Sequence, residues 1–297
     1  MSILTGYQST KYQDSYNLVG SVETVESIPF LVRDTPGGFK DGMSIYPFLS
    51  RGSIHECKVQ SALRSITLSK RLVSSVIITD PLESPPQVYD NSNIEKFRDH
   101  YIVDLQSWDL KNCSKNTKKN VKRLFKLLDS GDYRISIDPG VSYCEDFHTL
   151  YQSTVSKYSV SGLLNFSKDH LDKQVNTPGS ILVSLVDTTT SEYLGSQLYY
   201  IQGDCVYWHL SGYSQKCINL AASFIHTYSA ILNFKHLGFR YLVLGSGGGN
   251  PGLESYKSGF STHIKPNYII KTVHDPETYG KIVIPGNSFF PGYRMEL

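Results

Sequence analysis

Two apolar runs separated by a tight turn set the strongest limit on how this chain can fold. Glu192-Tyr-Leu-Gly-Ser-Gln-Leu-Tyr-Tyr-Ile201 and Cys205-Val-Tyr-Trp-His-Leu-Ser-Gly212 are both strand-like, and Gln202-Gly-Asp204 between them has the chemistry of a hairpin turn. A long helical pattern, Lys216 to Leu237, follows and stops at Gly238. Next come a short buried strand, Tyr241 to Leu244, and a glycine-rich turn, Gly245 to Gly252. A short helix running to Phe260 and a last strand around Ile264 to Lys271 close the segment. Strands and helices in this order describe an α/β protein with a mixed central sheet flanked by helices.

The rest of the composition narrows the classes. With 297 residues, 40% of them hydrophobic and 19% charged, the chain can build one large core or two ordinary ones. No apolar run reaches the roughly 20 residues of a membrane helix, and Met1-Ser-Ile-Leu-Thr-Gly-Tyr lacks the features of a signal peptide, so the expected location is the cytoplasm. Five scattered cysteines form no C-x-x-C pair, and nine histidines form no H-E-x-x-H or H-x-H, which argues against a disulfide framework and a bound metal. A net charge of +2 imposes no global field that would demand a nucleic-acid partner.

The first third alternates strands and turns. Leu18 to Val25 and Ile28 to Arg33 read as strands, and Asp41-Gly-Met-Ser-Ile-Tyr-Pro-Phe48 as a loop with an aromatic anchor or as part of a cleft wall. Ile54 to Ile66 reads as a helix, Leu72 to Ile78 as a buried strand, Asn91 to His100 as a short helix and Tyr101 to Leu105 as a strand. Tyr133 to Ile137 and Ser180 to Val186 read as strands, with helices at Cys144 to Lys157 and Phe166 to Lys173. After Val273 the tail reads as turns.

Between the halves lies a basic amphipathic helix, capped by Ser114 and ended by Gly131. Val121, Leu124, Phe125 and Leu128 share one face, and Lys115, Lys118, Lys119, Lys122 and Lys126 form a stripe beside it. Such a stripe suits phosphates of a nucleotide or of tRNA, or is simply a solvated face. The expected division is an N-terminal half, 1–131, and a C-terminal half, 132–297.

Gly195 to Tyr200, the Gly203-Asp204 turn, Gly238-Phe-Arg-Tyr-Leu-Val-Leu-Gly245 and Tyr256-Lys-Ser-Gly-Phe260, in that order and spacing, resemble the FemAB-like branch of the GNAT superfamily. That branch includes peptidoglycan-bridge aminoacyltransferases and six-type acetyltransferase domains. The resemblance implies a GNAT fold, compatible with two GNAT-like halves, in which an acyl donor enters a split between two parallel strands. Here those are the Cys205 to Gly212 and Tyr241 to Leu244 strands. The stretch Ser214-Gln-Lys-Cys-Ile-Asn-Leu-Ala221 lacks the glycines of the Q/R-x-x-G-x-G/A turn that binds the CoA pyrophosphate. Gly245 to Gly252 is no P-loop either, because no Gly-Lys-Ser/Thr follows it.

The match of Tyr256 to Phe260 implies that Lys257 lies by the donor ester, where a cation stabilises developing negative charge. Tyr207, His209 and Ser211 alternate along a strand and are expected on one face, with Trp208 opposite, in packing. His209 is a candidate base for the incoming amine, or a satisfied core histidine. Asp41 and Tyr46 are expected at the acceptor wall, Tyr256 and Phe260 beside the donor, and Lys118, Lys119 and Lys122 on its phosphates.

The function expected is acyl or aminoacyl transfer to an amine, with aminoacyl-tRNA favoured as donor and no tightly bound cofactor. The acceptor would be an amine-bearing peptide, a cell-wall precursor or an amino sugar. Two alternatives stay open: an acyl-CoA-dependent N-acetyltransferase acting on a sugar amine or small metabolite, and a non-catalytic module that binds RNA or protein.

Overall fold

The structure, a computed structural model, describes residues 5–26, 28–45, 56–83, 92–139, 144–158 and 162–295. In chain order the elements are α1 (Thr10–Ser15), β1 (Ser21–Val25), β2 (Ile28–Asp34), β3 (Lys40–Ser44), α2 (Glu56–Lys70), β4 (Leu72–Ile78) and β5 (Ser92–Asp104). Then come α3 (Lys115–Asp129), β6 (Tyr133–Pro139), α4 (Cys144–Tyr158), α5 (Lys168–Val175), β7 (Ser180–Asp187), β8 (Tyr193–Gln202) and β9 (Cys205–Tyr213). The chain ends with α6 (Gln215–Asn219), α7 (Ser223–His236), β10 (Tyr241–Ser246), α8 (Pro251–Ser258), β11 (His263–Val273) and α9 (Pro276–Ile282).

The chain forms two compact units. The first comprises 1–11, 99–161 and 165–265, and the second 12–98, 162–164 and 266–297. Residue 131, the expected end of the N-terminal half, lies inside the first.

In the first unit the strands run in the order β5-β10-β9-β8-β7-β6. All neighbours are antiparallel except β9 and β10, which are parallel. One face packs on α3 and α7, where Val121, Leu124, Leu185, Tyr199, Ile231, Phe234 and Leu242 are buried together. The other face carries α4 and α5. There Gly212 is required, because a Cβ would lie 2.5 Å from the backbone of Leu150 and Tyr151 on α4. Each fully buried leucine or phenylalanine is worth about 1.5–3 kcal/mol, so the two-sided burial of β8 holds the sheet together.

Local signals explain most of these elements. Gly203 takes a φ of +59° in the two-residue turn between β8 and β9. The Ser114 hydroxyl accepts from the Thr117 amide at 3.1 Å, and Gly131, at φ +81°, ends the following turn. Several elements differ from expectation, among them the stretch from Asp41, read as a loop, which begins within strand β3. The helical pattern from Lys216 to Leu237 is broken into α6 and α7, and Ala221 adopts φ +50° at the break. Of the segment read as a helix up to His100, the described residues from Ser92 on are strand. Within the second unit the Arg98 amide is taken by the Asn267 side chain at 3.1 Å, and Glu95 pairs with Lys271 at 2.5 Å. Tertiary partners thus override a weak local pattern.

In the second unit the order is β1-β2-β3-β4-β11, with β3 and β4 parallel and the other pairs antiparallel. Its core gathers Ile28, Phe30 and Val32 with Leu63, Ile66, Leu72, Ile77 and Ile270. Within this unit α9 stands where turns are expected. Its signature is in the sequence: the Asp275 side chain accepts from the Thr278 amide at 3.0 Å, and Pro276 follows at the first turn. Among the described residues no helix is long and apolar enough to cross a membrane.

Candidate active site

The parallel pairing of β9 and β10 covers only Cys205/Tyr241, Val206/Leu242 and Tyr207/Val243. Beyond Tyr207 strand β9 runs on to Tyr213, so its edge on that side has left the β10 ladder. A gap of this kind exposes strand donors and acceptors without a strand partner. The Trp208 indole takes one of them, donating to the Leu210 carbonyl at 3.0 Å.

Lys257 reaches toward this gap from α8. Gly245, at φ +77°, turns the chain out of β10, and the Asn250 side chain caps α8 by accepting from the Leu253 amide at 3.1 Å. A Cβ on Gly245 would lie 3.4 Å from the Lys257 ammonium nitrogen, so a side chain there would crowd it. The ammonium donates to the Ser246 carbonyl at 2.7 Å and sits 4.7 Å above the Trp208 ring. Lys257 is 7% exposed and has no carboxylate partner among the described residues. Burial therefore pushes its pKa down to about 7.

A buried hydrogen-bond chain supports the preceding residue. The Tyr199 hydroxyl donates to the Gln197 side-chain oxygen Oε1, and the Gln197 side-chain Nε2 donates to the Tyr213 hydroxyl at 2.6 Å and to the Thr227 hydroxyl at 3.2 Å. The Thr227 and Tyr256 hydroxyls are 2.6 Å apart, and Tyr256 donates on to the Ser223 carbonyl at 2.8 Å. Tyr256 also meets Trp208, Phe224 and Phe260 edge-on. Phe260 is fully buried and serves as packing for this cluster.

The strand face is not the expected one. Leu198 pairs with Leu210, but Tyr199 pairs with Trp208, so His209 is an extra residue in a bulge. Trp208 consequently faces Tyr199, Tyr256 and Lys257 and is part of the site, not packing on the far side. Ser211 pairs with Gln197, whose side chain reaches Thr227 on α7, which places Ser211 on the Lys257 face as well. Tyr207 and His209 lie on the other face, against Tyr7 and Tyr200.

His209 is poorly suited to be a base. Its Nε2 lies 3.0 Å from the Gln174 side-chain oxygen, and its Nδ1 lies 3.3 Å from the Tyr7 hydroxyl. Burial, together with nearby His170, pushes its pKa down to about 3. Both ring nitrogens are engaged and the ring is neutral.

The remaining expected residues separate. Lys118, Lys119 and Lys122 lie on the outer side of α3, with the Lys118 ammonium on the Lys111 carbonyl at 3.0 Å. The start of α3 joins the end of α8: the Ser114 amide donates to the Gly259 carbonyl at 3.3 Å, and a Cβ on Gly259 would meet the Thr117 hydroxyl at 2.3 Å. Asp41 belongs to the second unit and is 1% exposed. It is taken up by Arg33 at 3.3 Å, by Arg294 at 2.5 and 2.9 Å and by Tyr293 at 3.3 Å. Its carboxylate is saturated and forms no open wall. Tyr46 lies outside the described residues.

The sequence alone does not single out Gln197 and Thr227, and strict alternation puts Trp208 on the wrong face. The signal for the first two was a polar residue in the middle of a buried strand or helix face, which must find partners.

The antiparallel run β6 to β9 and the parallel step to β10, with its interrupted pairing, form a mixed-sheet α/β fold that solved structures share. FemX is 10% identical with a TM-score of 0.67, over 92% of this chain and 93% of that one. L-PGS from Bacillus licheniformis is 10% identical with a TM-score of 0.62, over 91% and 93%. The C-terminal domain of a putative lysylphosphatidylglycerol synthetase from Agrobacterium fabrum is 10% identical with a TM-score of 0.62, over 88% and 87%. No protein-family model and no curated protein matches the sequence.

Proposed function

We propose that this protein transfers an acyl group, with an aminoacyl ester on tRNA as the favoured donor, to the amine of an acceptor. The observation that carries this reading is Lys257, a buried cation with no carboxylate partner among the described residues, placed where the β9/β10 pairing ends. In aminolysis the amine nitrogen bonds to the ester carbonyl carbon, the carbon–oxygen bond to the ribose breaks, and the amine's proton balances the leaving oxygen. Negative charge grows on oxygen during that step. A cation held in a poorly solvated place by a carbonyl and an indole face favours that charge strongly, because little solvent screens it.

Two features support this choice of donor. The CoA-type glycine turn is absent, and in its place Ser214 caps α6 with its own hydroxyl on the Cys217 amide at 3.2 Å. The exposed lysines of α3 start from the end of the helix that carries Lys257, which suits a polyanionic donor. The structural likeness to FemX and L-PGS supports a transferase of this general kind.

Equilibrium binding of labelled aminoacyl-tRNA over a salt series, with acetyl-CoA as competitor, tests the donor. Salt-sensitive binding that CoA leaves in place is expected. CoA binding without tRNA binding would move the protein to the acyl-CoA branch, and silence with both would leave a non-catalytic module. Lys257→Ala should abolish turnover in a folded protein, and unchanged turnover would remove the role given to Lys257.

A further inference from the structure

The second unit holds a charge arrangement unused by the reaction above. Arg33 on β2 is 8% exposed, and only its Nε bonds a described residue, Asp41 at 3.3 Å. Arg294 shares the same carboxylate and spends its other contact on the Asp34 carbonyl at 2.9 Å. One carboxylate therefore faces two guanidiniums. Lys40 stands beside them, loosely paired at 4.0 Å with Asp34, whose own side chain is 85% exposed. Glu23, whose carboxylate also senses Lys40, is held by Lys70 at 2.6 Å. These three cations, with Asp34, line an open depression bordered by Val19, Gly20 and Ser21.

We infer that this depression is a binding site for a dianionic phosphate monoester, held by the Arg33 fork with Arg294 and Lys40. Asp41 neutralises one guanidinium and the solvent-exposed Asp34 pairs only loosely with Lys40, so a second guanidinium and the Lys40 ammonium are available to the two charges of a dianion. The Nη groups of Arg33 form the planar fork that binds two phosphate oxygens at once. Burial and the neighbouring Arg294 both disfavour the charged guanidinium, and Asp41 alone among the described carboxylates offsets them. A bound phosphate completes the compensation.

The test is a calorimetric titration of the full chain with inorganic phosphate at low ionic strength, with acetate as the monoanion control. Phosphate should bind with acetate far weaker, and affinity should fall as pH drops through the second ionisation of phosphate near ~6. Lys40→Ala, which leaves the Asp41 cluster untouched, should weaken binding at least tenfold, and Arg33→Lys should do the same by removing the fork. Glycerol phosphate and phosphatidate-containing vesicles then separate a soluble ligand from a lipid headgroup, and either one bound in a Lys40-dependent way supports the site. No phosphate binding, acetate binding as tight as phosphate, or equal affinity in wild type and Lys40→Ala would overturn it.

Discussion

The Lys257 ammonium rests 4.7 Å from the centre of the Trp208 ring, and that ring faces Lys257 only because the next residue, His209, is bulged out of the strand register. A one-residue irregularity thus supplies the cation's platform.

Lys257 links stability and activity to pH with opposite signs. Its pKa falls from 10.5 in the unfolded chain to about 7 in the folded one. Between these values the unfolded state binds the extra proton, so the penalty of burying the charge is full below about 7 and is relieved as pH rises toward 10.5. Relative to Lys257→Met, the wild type should gain at most about 1.4 kcal/mol of stability per pH unit over this window. Urea unfolding of both proteins at pH 7.5, 8.5 and 9.5 (chosen to span roughly that window) measures the difference. Transfer that needs the cation should decline over the same range, and parallel unfolding curves with a flat rate profile would contradict both statements.

The neutral, doubly bonded state of His209 predicts a structural role. His209→Phe should leave single-turnover transfer within about threefold of wild type while lowering stability by about 1–3 kcal/mol, the cost of orphaning the Gln174 and Tyr7 partners. A loss of turnover of a hundredfold or more (roughly what a missing general base costs) would restore His209 as the base.

Thr227→Val removes the hydroxyl between Gln197 and Tyr256 without changing side-chain shape. A destabilisation of about 1–3 kcal/mol is expected because a buried amide donor loses an acceptor. Since Tyr256 precedes Lys257, the rate profile should also shift along the pH axis. Unaltered thermal unfolding and an unaltered profile would show that the chain of hydroxyls is incidental.

Asp41→Asn keeps the shape of the second unit and deletes the charge that two guanidiniums share. Uncompensated buried charge of this kind typically costs about 3–5 kcal/mol. Chemical denaturation should report that loss, and a change below about 1 kcal/mol would mean that solvent already screens the cluster as at a surface pair.

Much of the first unit was legible because its signals are local. Gly203 in the hairpin, Ser114 and Gly131 around the basic helix, and the β10–glycine turn–α8 order each act within a few residues. What was not legible depends on long-range register. Strict alternation placed Tyr207, His209 and Ser211 together, and no local feature of Trp208-His209 announces a bulge. The strand from Ser92 was hidden because its partners lie some 170 residues away in sequence, as in the Arg98 to Asn267 bond. Asp41 was singled out for the acceptor wall, yet nothing nearby in the sequence named Arg294 as its partner.

That last pairing has a consequence for how the protein is made. Arg294 is synthesised 253 residues after Asp41, and the second unit is assembled from segments at both ends of the chain. Its carboxylate and Arg33 must wait, incompletely neutralised, while the first unit's sequence emerges from the ribosome between them. The first unit can be finished while translation continues, whereas the second closes only when the last turn after α9 is free. A stall or truncation late in synthesis should therefore leave a folded first unit tethered to an open, protease-sensitive second one.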